Sequence, residues 1–367
     1  MHDVKYWLAF SRVKGIGPAR FQSLQRYFGN LEEAWRADEK GWRAAGLDSR
    51  CCQAVREAQK MGDVEAYWER VQARGIKVLT WDCPEYPSRL REVHQVAPVL
   101  YYQGEWAAAD EWSLAIVGTR RMSDYGRQVT QELVSELVGQ GITIVSGLAR
   151  GIDGVAHKTA IAAGGRTIAV MGTGLDRVYP YEHRGLASRI GGGGGVLLSE
   201  YGLDTEPDAY HFPQRNRLIS GLSLGVVVIE AGERSGALIT ADFALEQDRE
   251  LFAVPGSIFS GVSRGPHKLL QNGAKLVTKV SDILEEIEVA MTTQKVAQTV
   301  ARQLPLPESA AEVALWQALT GRPQHIDQLG RAAGLSTAVV NSTLTLMELK
   351  GMVRQIGGMK YIRVGAK

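Results

Sequence analysis

The sequence is poor in cysteine and nearly balanced in charge, and both shortages narrow what the protein can be. Its three cysteines, Cys51, Cys52 and Cys83, have neither the pattern of a disulfide framework nor the spacing of a zinc site. Lysine and arginine number 42 against 40 aspartates and glutamates, so affinity for a polyanion must come from local clusters of cations. The scarcity of cysteine favours a reducing compartment, and we expect a cytoplasmic protein.

Long apolar runs are also lacking. No run approaches the roughly 18 apolar residues that a membrane-spanning helix needs. The first residues include Asp3, Lys5 and Arg12 and lack the apolar core of a signal peptide. We therefore expect a soluble protein with no membrane partner, and its 367 residues are enough for two or three domains.

Apolar spacing and composition divide the chain into three domains and one linker. Residues 1–75 carry apolar side chains at helical spacing and predict a small helical domain. Residues 76–288 predict a larger core. Residues 289–307 are polar and end in prolines, which is typical of a linker, and residues 308–367 predict a last domain.

The core predicts a mainly parallel sheet with helices on both faces. Its continuous apolar runs alternate with helical patterns, as in βαβ units. The runs are Leu114–Gly118, Thr143–Gly147, Thr167–Gly172, Val196–Tyr201, Val226–Ala231 and Leu251–Pro255, preceded by short β segments at Val78-Leu79 and Val99–Tyr101. The glycine run Gly191–Gly195 predicts a flexible loop between a helix ending near Arg189 and the next strand.

The two terminal domains have motifs of their own. Val13–Arg20 contains Gly-x-Gly between helical patterns, which fits either a helix-hairpin-helix element or a tight turn in a bundle. Helices at Glu308–Leu319, His325–Ala333 and Ser336–Lys350, followed by a hairpin over 353–362, predict a winged helix. The last of these helices has almost no basic residues, which favours a protein-contact or regulatory role over duplex reading.

Glycine and arginine follow several of the predicted strands, where ligands bind in such sheets. Glycine lets a phosphate approach the backbone, helix N-termini attract anions, and arginine binds phosphate oxygens. One such loop alone is ordinary in α/β proteins, but four at one edge of the sheet favour an anion site. The loops are Gly118-Thr119-Arg120-Arg121, Ser146-Gly147 through Arg150-Gly151, Gly172-Thr173-Gly174, and Gly232 through Arg234-Ser235-Gly236.

The segment Tyr210–Ser220 places aromatic residues next to arginines. Pro213 fits the first turn of a helix, and Arg215 and Arg217 then lie about 200° apart around its axis. The two arginines therefore grip different parts of a strand, or one of them is structural. Phe212 offers a stacking face for an unpaired base, with a role as a core side chain as the alternative.

Cofactor, metal and acid-base sites are poorly supported. The chain has no Walker motif, no dinucleotide fingerprint and no metal-ligand spacing, so we expect no cofactor and no metal. Asp153 and His157 share a helix face and could form a proton-transfer group with Glu200 or Glu230. Structural roles are favoured for both, because a carboxylate stabilises the first turn of a helix.

With these residues in view, the chain resembles the DNA-processing protein A (DprA/Smf) family over nearly its whole length. The resemblance is carried by Ile116–Arg120, Ser146–Asp153 with Ala156-His157, Gly172–Asp176 with Tyr179-Pro180, Ser199-Glu200-Tyr201, Phe212–Ser220 and Ser235–Thr240. It implies an α/β fold with an extended Rossmann-like core that forms a homodimer. The accessory domains would be an N-terminal helical (helix-hairpin-helix/SAM-like) domain and a C-terminal winged helix.

The resemblance also implies a function and a site. Such a protein binds single-stranded DNA without cutting it and loads a RecA-type recombinase during natural transformation. Arg120 would be the pocket arginine, Phe212 the base-stacking ring, Arg215 and Arg217 the flanking cations, and Ser146-Gly147 a phosphate loop. The full set expected to bind DNA is Gly118, Thr119, Arg120, Arg121, Ser146, Gly147, Arg150, Phe212, Arg215, Asn216, Arg217, Arg234, Ser235 and Gly236.

An enzyme is the alternative. Related Rossmann-like proteins cleave the glycosidic bond of nucleoside monophosphates with a Pro-Gly-Gly-x-Gly-Thr motif and a following glutamate. The equivalent stretch of this chain, Gly232–Ala237, lacks that motif. We therefore expect a binding protein with no catalytic residue.

Overall fold

A computed structural model of the chain describes residues 4–287, 309–319, 324–350, 352–355 and 359–363. The chain divides between Ile287 and Glu288 into two compact units. Across the described residues, no helix combines the length and the apolarity that crossing a membrane would demand. The predicted linker, 289–307, and Glu308 lie outside the described residues.

The first unit begins with a bundle of short helices. They are α1 (Val4–Ser11), α2 (Pro18–Phe28), α3 (Leu31–Arg36), α4 (Glu39–Ala44), α5 (Ser49–Met61) and α6 (Val64–Gln72). Asn30, Asp38 and Asp48 start α3, α4 and α5 by accepting a hydrogen bond from a backbone amide of the first turn. The apolar cluster of the bundle continues into Val99 and Met171 of the sheet, so bundle and sheet share one core.

The sheet of the first unit has nine strands within the described residues. They are β1 (Lys77–Thr80), β2 (Val99–Gly104), β3 (Ser113–Val117), β4 (Thr143–Ser146), β5 (Thr167–Met171), β6 (Gly195–Ser199), β7 (Gly225–Val228), β8 (Glu250–Ala253) and β9 (Lys275–Leu276). Their order is β1-β2-β6-β5-β4-β3-β7-β8-β9. Strands β3 to β9 are parallel, while β2 runs antiparallel to both β1 and β6. The predicted parallel sheet is confirmed.

Helices cover both faces of the sheet and start next to its carboxyl edge. They are α7 (Asp124–Gly139), α8 (Ile152–Ala162), α9 (Arg184–Arg189), α10 (His211–Leu222), α11 (Gly236–Glu246), α12 (Arg264–Gln271) and α13, over 281–287. The central strands β3 to β7 are buried along their whole length, which explains their continuous apolar sequences. The chain reverses its direction of strand addition at β3, with β4 on one side and β7 on the other. This switch point is where sheets of this class bind ligands.

The glycine run before β6 differs from its sequence prediction. Instead of a flexible loop, Ile190–Gly194 continues from α9 as a wide helical turn that departs from helical geometry at Gly193, and β6 begins at Gly195. Gly193 and Gly195 have φ angles of 132° and 149°, which disfavour any residue with a Cβ. A Cβ on Gly195 would also lie 1.8 Å from the carbonyl oxygen of Thr167 on β5. The glycines therefore allow the chain to enter the sheet beside β5.

The second unit has the predicted winged-helix elements. They are α14 (Ala310–Ala318), β10 (Gln324–His325), α15 (Ile326–Ala333), α16 (Thr337–Leu349), β11 (Val353–Gln355) and β12 (Lys360–Arg363). Leu315, Leu329, Leu344 and Met347 form its apolar centre. The hairpin strands β11 and β12 are antiparallel as predicted, and β10 adds a strand that the sequence did not reveal.

Candidate functional site

An open cleft of about 1040 Å³ lies at the carboxyl edge of the sheet, over the switch point between β3 and β7. Its walls come from the loops after β3, β4, β5, β7 and β8 and from the start of α10. A smaller cavity adjoins it and shares Arg120, Tyr179, Phe212 and Arg215 with it. Three of the four loops that the sequence selected as anion-ready therefore line the cleft or its adjoining cavity, whereas Gly172, Thr173 and Gly174 of the fourth line neither.

Three arginines of the cleft have no anionic partner. The side chains of Arg120, Arg121 and Arg234 are exposed, and none of them forms an ion pair with a carboxylate of the described residues. Arg150 differs, because its guanidinium binds both carboxylate oxygens of Glu182, with Nη2 2.9 Å from Oε2. This bond lowers the pKa of Glu182 to about 2. The cleft thus offers three free guanidiniums, while that of Arg150 in the adjoining cavity is already paired.

An aromatic ring lies between the arginines of the cleft. The ring centroid of Phe212 is 5.6 Å from the guanidinium carbon of Arg120 and 6.0 Å from that of Arg215. Tyr179 lies beside it, with ring centroids 5.5 Å apart and planes tilted by 43°. Phe212 rests on Gly172, where a Cβ would come within 2.9 Å of the ring. The ring is half-buried, so it is held in place and still faces the cleft.

Arg215 forms the floor of the cleft and is 4% exposed. Its Nη1 donates to the carbonyl oxygen of Gly147 at 2.8 Å and also to that of Val170. Burial lowers the pKa of Arg215 to about 10, while the nearby Asp153 carboxylate opposes the shift. The guanidinium is therefore charged at neutral pH and holds the loop after β4 beneath the cleft.

Arg217 points away from the cleft, although it lies only two residues further along α10. Its Nη2 lies 2.6 Å from both carboxylate oxygens of Glu200. Ser146 is also outside the cleft, because its hydroxyl is fully buried and donates to the carbonyl oxygen of Ile116 at 2.6 Å. The 200° turn between Arg215 and Arg217 separates the two arginines, as the sequence indicated.

The structure brings twelve of the fourteen predicted residues together. The large cleft is lined by Gly118, Thr119, Arg120, Arg121, Phe212, Arg215, Asn216, Arg234, Ser235 and Gly236, and Gly147 and Arg150 line the adjoining cavity. Ser146 and Arg217 line neither cavity. Both lie beneath the cleft surface, where Ser146 bonds to Ile116 of β3 and Arg217 bonds to Glu200 in the loop after β6.

His157 and Asp153 each hold a loop. His157 Nε2 accepts a hydrogen bond from the Leu148 amide at 3.3 Å, and its Nδ1 lies 2.7 Å from the Thr167 hydroxyl. Burial lowers the pKa of His157 to about 3, so the ring is neutral near pH 7. Asp153 accepts from the amides of Gly147 and Ala149, at 3.1 and 3.4 Å.

The two glutamates that sequence reasoning considered are engaged elsewhere. Glu230 accepts hydrogen bonds from Ser123, from its amide at 2.9 Å and from its hydroxyl, and so fixes the start of α7. Glu200 is bound by Arg217. In the described parts of the chain, no cluster of three or more His, Cys, Asp or Glu side chains suits a metal ion. The four acid-base candidates therefore do not converge on one reacting point.

Sequence reasoning missed two kinds of cleft residue. Tyr179 follows β5 and Val262 follows β8, and both line the cleft. Sequence reasoning selected the loop after β5 only at Gly172-Thr173-Gly174, before Tyr179, and did not select the loop after β8. Selection by glycine and arginine left out both side chains, because neither tyrosine nor valine is a typical anion-binding residue.

Comparison with known proteins agrees with this geometry. A family model described as "DNA recombination-mediator protein A" matches residues 77–288, and one described as "DprA winged helix domain" matches residues 299–359. The curated protein Smf of Synechocystis sp. is 34% identical to the chain, and the alignment covers 98% of both proteins.

Two solved structures of similar proteins extend the comparison. DNA processing protein A of Streptococcus pneumoniae matches with a TM-score of 0.68 and 35% identity, over 77% of this chain and 97% of that one. DNA processing protein A of Helicobacter pylori, whose structure is described by its single-stranded DNA binding mode, matches with a TM-score of 0.52 and 30% identity. That match covers 59% of this chain and 96% of the other.

Proposed function

The chain belongs to the DNA recombination-mediator protein A (DprA/Smf) family, and we propose that it binds single-stranded DNA in the cleft at the carboxyl edge of its sheet. We further propose that it delivers the strand to a RecA-type recombinase during natural transformation. The family membership and the single-stranded DNA binding mode described for the Helicobacter pylori relative support this function.

One observation carries the proposal: three unpaired guanidiniums and a half-buried phenylalanine ring line the same cleft, which is built from glycine-containing loops, and one of the guanidiniums lies over the ring. The guanidiniums of Arg120, Arg121 and Arg234 suit phosphates, which need charge and close backbone approach. Phe212 suits a base, because stacking contributes about 1–3 kcal/mol whatever the sequence. An unpaired strand offers phosphates and free base faces together, which a duplex does not.

Binding without chemistry is part of the proposal. Asp153, His157, Glu200 and Glu230 are each held by structural hydrogen bonds, and burial lowers the pKa of His157 to about 3, far from that of a general base near pH 7. The alternative is cleavage of nucleoside monophosphates. Release of free base on incubation with those nucleotides would contradict the binding role.

The direct test is fluorescence-anisotropy binding to a labelled thymidine oligonucleotide, first single-stranded and then annealed. We expect preference for the single strand and an affinity that falls with salt by about 0.7 log units per log unit for each phosphate neutralised. Arg120→Ala should weaken binding about tenfold and reduce that slope by about 0.7.

The matched control is Arg189→Ala, which removes an exposed arginine at the end of α9, before the amino end of β6 and away from the cleft. Equal losses for Arg120→Ala and Arg189→Ala would show diffuse attraction and contradict a site in the cleft. Equal affinity for duplex and single strand would contradict the substrate.

The proposed assembly is a cytoplasmic homodimer formed through the core. Leu276 lies on β9, the last strand of the sheet within the described residues, and exposes more than half of its surface, which supports a partner on that side. Light scattering should give about twice the chain mass of 40.1 kDa. For the recombinase, the check is whether the protein speeds its DNA-dependent ATP hydrolysis on a strand already covered by single-strand-binding protein.

A further inference from the structure

The loop after β8 carries the most exposed aromatic side chain among the described residues. Phe259 is 93% exposed and its neighbour Ile258 is 76% exposed. The fold leaves this apolar surface in contact with water, and burying it against a ligand would be favourable. Single exposed apolar residues are common, but two adjacent ones at the tip of a loop form a distinct apolar surface.

The base of this loop is held firmly. The Tyr125 hydroxyl donates to the carbonyl oxygen of Pro255 at 2.7 Å, and a ring nitrogen of His267 lies 3.0 Å from that of Gly256. The amide of Ser260 closes a tight turn on the carbonyl oxygen of Ser257 at 3.0 Å. The loop therefore presents Phe259 in a defined position, without packing its ring against the core.

The loop is continuous with the wall of the cleft. Val262 lines the cleft, and its carbonyl oxygen accepts a hydrogen bond from the Ala231 amide at 2.7 Å. Three residues beyond Ala231 lies Arg234, one of the unpaired guanidiniums. The two loops are joined again by the ion pair of Arg264 with Glu233, at 3.5 Å. A bare aromatic side chain and a free cation thus lie on adjoining loops at the β8 side of the cleft.

This pairing repeats the chemistry of the cleft itself, where Arg120 lies over Phe212. We infer that Phe259 is a second stacking surface, which takes a base of the same single strand after its backbone has passed Arg234. The inference rests on the proposed function, because it extends the path of the bound strand beyond the cleft. A duplex has no free base face for the ring, so the surface favours unpaired DNA.

The test compares a short and a long oligothymidine, about 5 and about 20 nucleotides, in the range of site sizes known for single-strand binders. Phe259→Ala should weaken binding of the long strand about 5- to 100-fold and leave the short strand unchanged. Phe259→Trp should restore the affinity, whereas Phe259→Leu should not, because leucine keeps the apolar bulk and lacks a ring face. Since the side chain is exposed, these variants should fold.

Two controls separate the possible outcomes. Arg120→Ala should weaken both strands, and if it affects neither, the proposed function fails rather than the inference alone. If Phe259→Ala changes neither strand, or changes both equally, the second stacking surface is excluded. If Phe259→Ala halves the mass found by light scattering, a second copy of the chain covers the ring, and the inference is overturned.

Discussion

The cleft of the first unit and helix α16 of the second unit differ in charge. The cleft carries the unpaired guanidiniums of Arg120, Arg121 and Arg234. Helix α16 has no lysine or arginine between Thr337 and Leu349, and the exposed side chains that the structure describes on it are uncharged, as in Val339 and Asn341. A winged helix normally uses this helix to enter a duplex, for which it needs cations. The unpaired cations therefore support the proposed polyanion site at the edge of the sheet, and helix α16 offers no comparable charge.

The floor of the cleft also differs from the centre of the second unit. The floor is a buried polar network around Arg215, Asp153 and His157, whereas the second unit is built around leucine and methionine side chains. Buried polar networks are costly to break, because each remaining partner loses its compensation. The first unit should therefore respond more strongly to substitutions and to pH.

Arg215→Ala should have the largest effect. It leaves Asp153 and two carbonyl oxygens buried without their cation, so the free energy of unfolding should fall by about 3–5 kcal/mol. Chemical denaturation measures this change. The matched control is Arg150→Ala, whose exposed ion pair with Glu182 should leave stability nearly unchanged. A similar, small change for both variants would contradict the structural role of Arg215.

Acid should destabilise the first unit through His157. Burial lowers the pKa of His157 to about 3 in the folded chain, against 6.5 for an ordinary histidine. The contribution of the neutral His157 ring to the free energy of unfolding is therefore complete above pH 6.5. It is lost as the pH falls toward 3, by about 1.4 kcal/mol per pH unit. Denaturation between pH 7 and 5 measures the slope before most carboxylates titrate.

The control for this pH effect is His157→Gln, which should be less stable at pH 7 and should lose most of the slope. An equal slope for wild type and His157→Gln would assign the acid sensitivity to other groups.

The smallest effect is expected where charge is added to α16. Asn341 and Thr345 are exposed and four residues apart, so they share one face of the helix. Replacing both by lysine should raise duplex affinity a few-fold and steepen its salt dependence by up to about 0.9 per phosphate contact. Replacing the same two residues by glutamate should lower the duplex affinity. If the lysine pair leaves duplex binding unchanged, lack of charge is not what keeps α16 from DNA.

Much of the fold could be predicted, because burial leaves a direct trace in the sequence. The strands β3 to β7 are buried on both faces and therefore appear as unbroken apolar runs. The glycine run before β6 was misjudged, because glycine composition cannot distinguish a loop from a wide helical turn. The conformation of this run depends on the close approach of Gly195 to Thr167, which is a contact between distant parts of the chain.

The site shows the same limit at the level of single residues. Helical geometry predicts that Arg215 and Arg217 face different directions, but only tertiary contacts decide which one reaches the cleft. Glu200 takes Arg217, and the carbonyl oxygen of Gly147 takes Arg215. Ser146 belongs to the same predicted phosphate loop as Gly147, yet the last residue of a buried strand bonds its neighbouring strand instead.

The bond between Glu230 and Ser123 has a consequence for how the strand is held. Ser123 follows Arg120 and Arg121, and Glu230 precedes Arg234, so one carboxylate ties both cationic loops together. Gly126 lets the first turn of α7 lie against that carboxylate, since a Cβ there would be 2.2 Å from Oε2. The fold itself thus fixes the spacing between the two sets of guanidiniums. In the proposed complex the nucleic acid is therefore the flexible partner, which takes up the shape of a preorganised protein and bears most of the entropy loss.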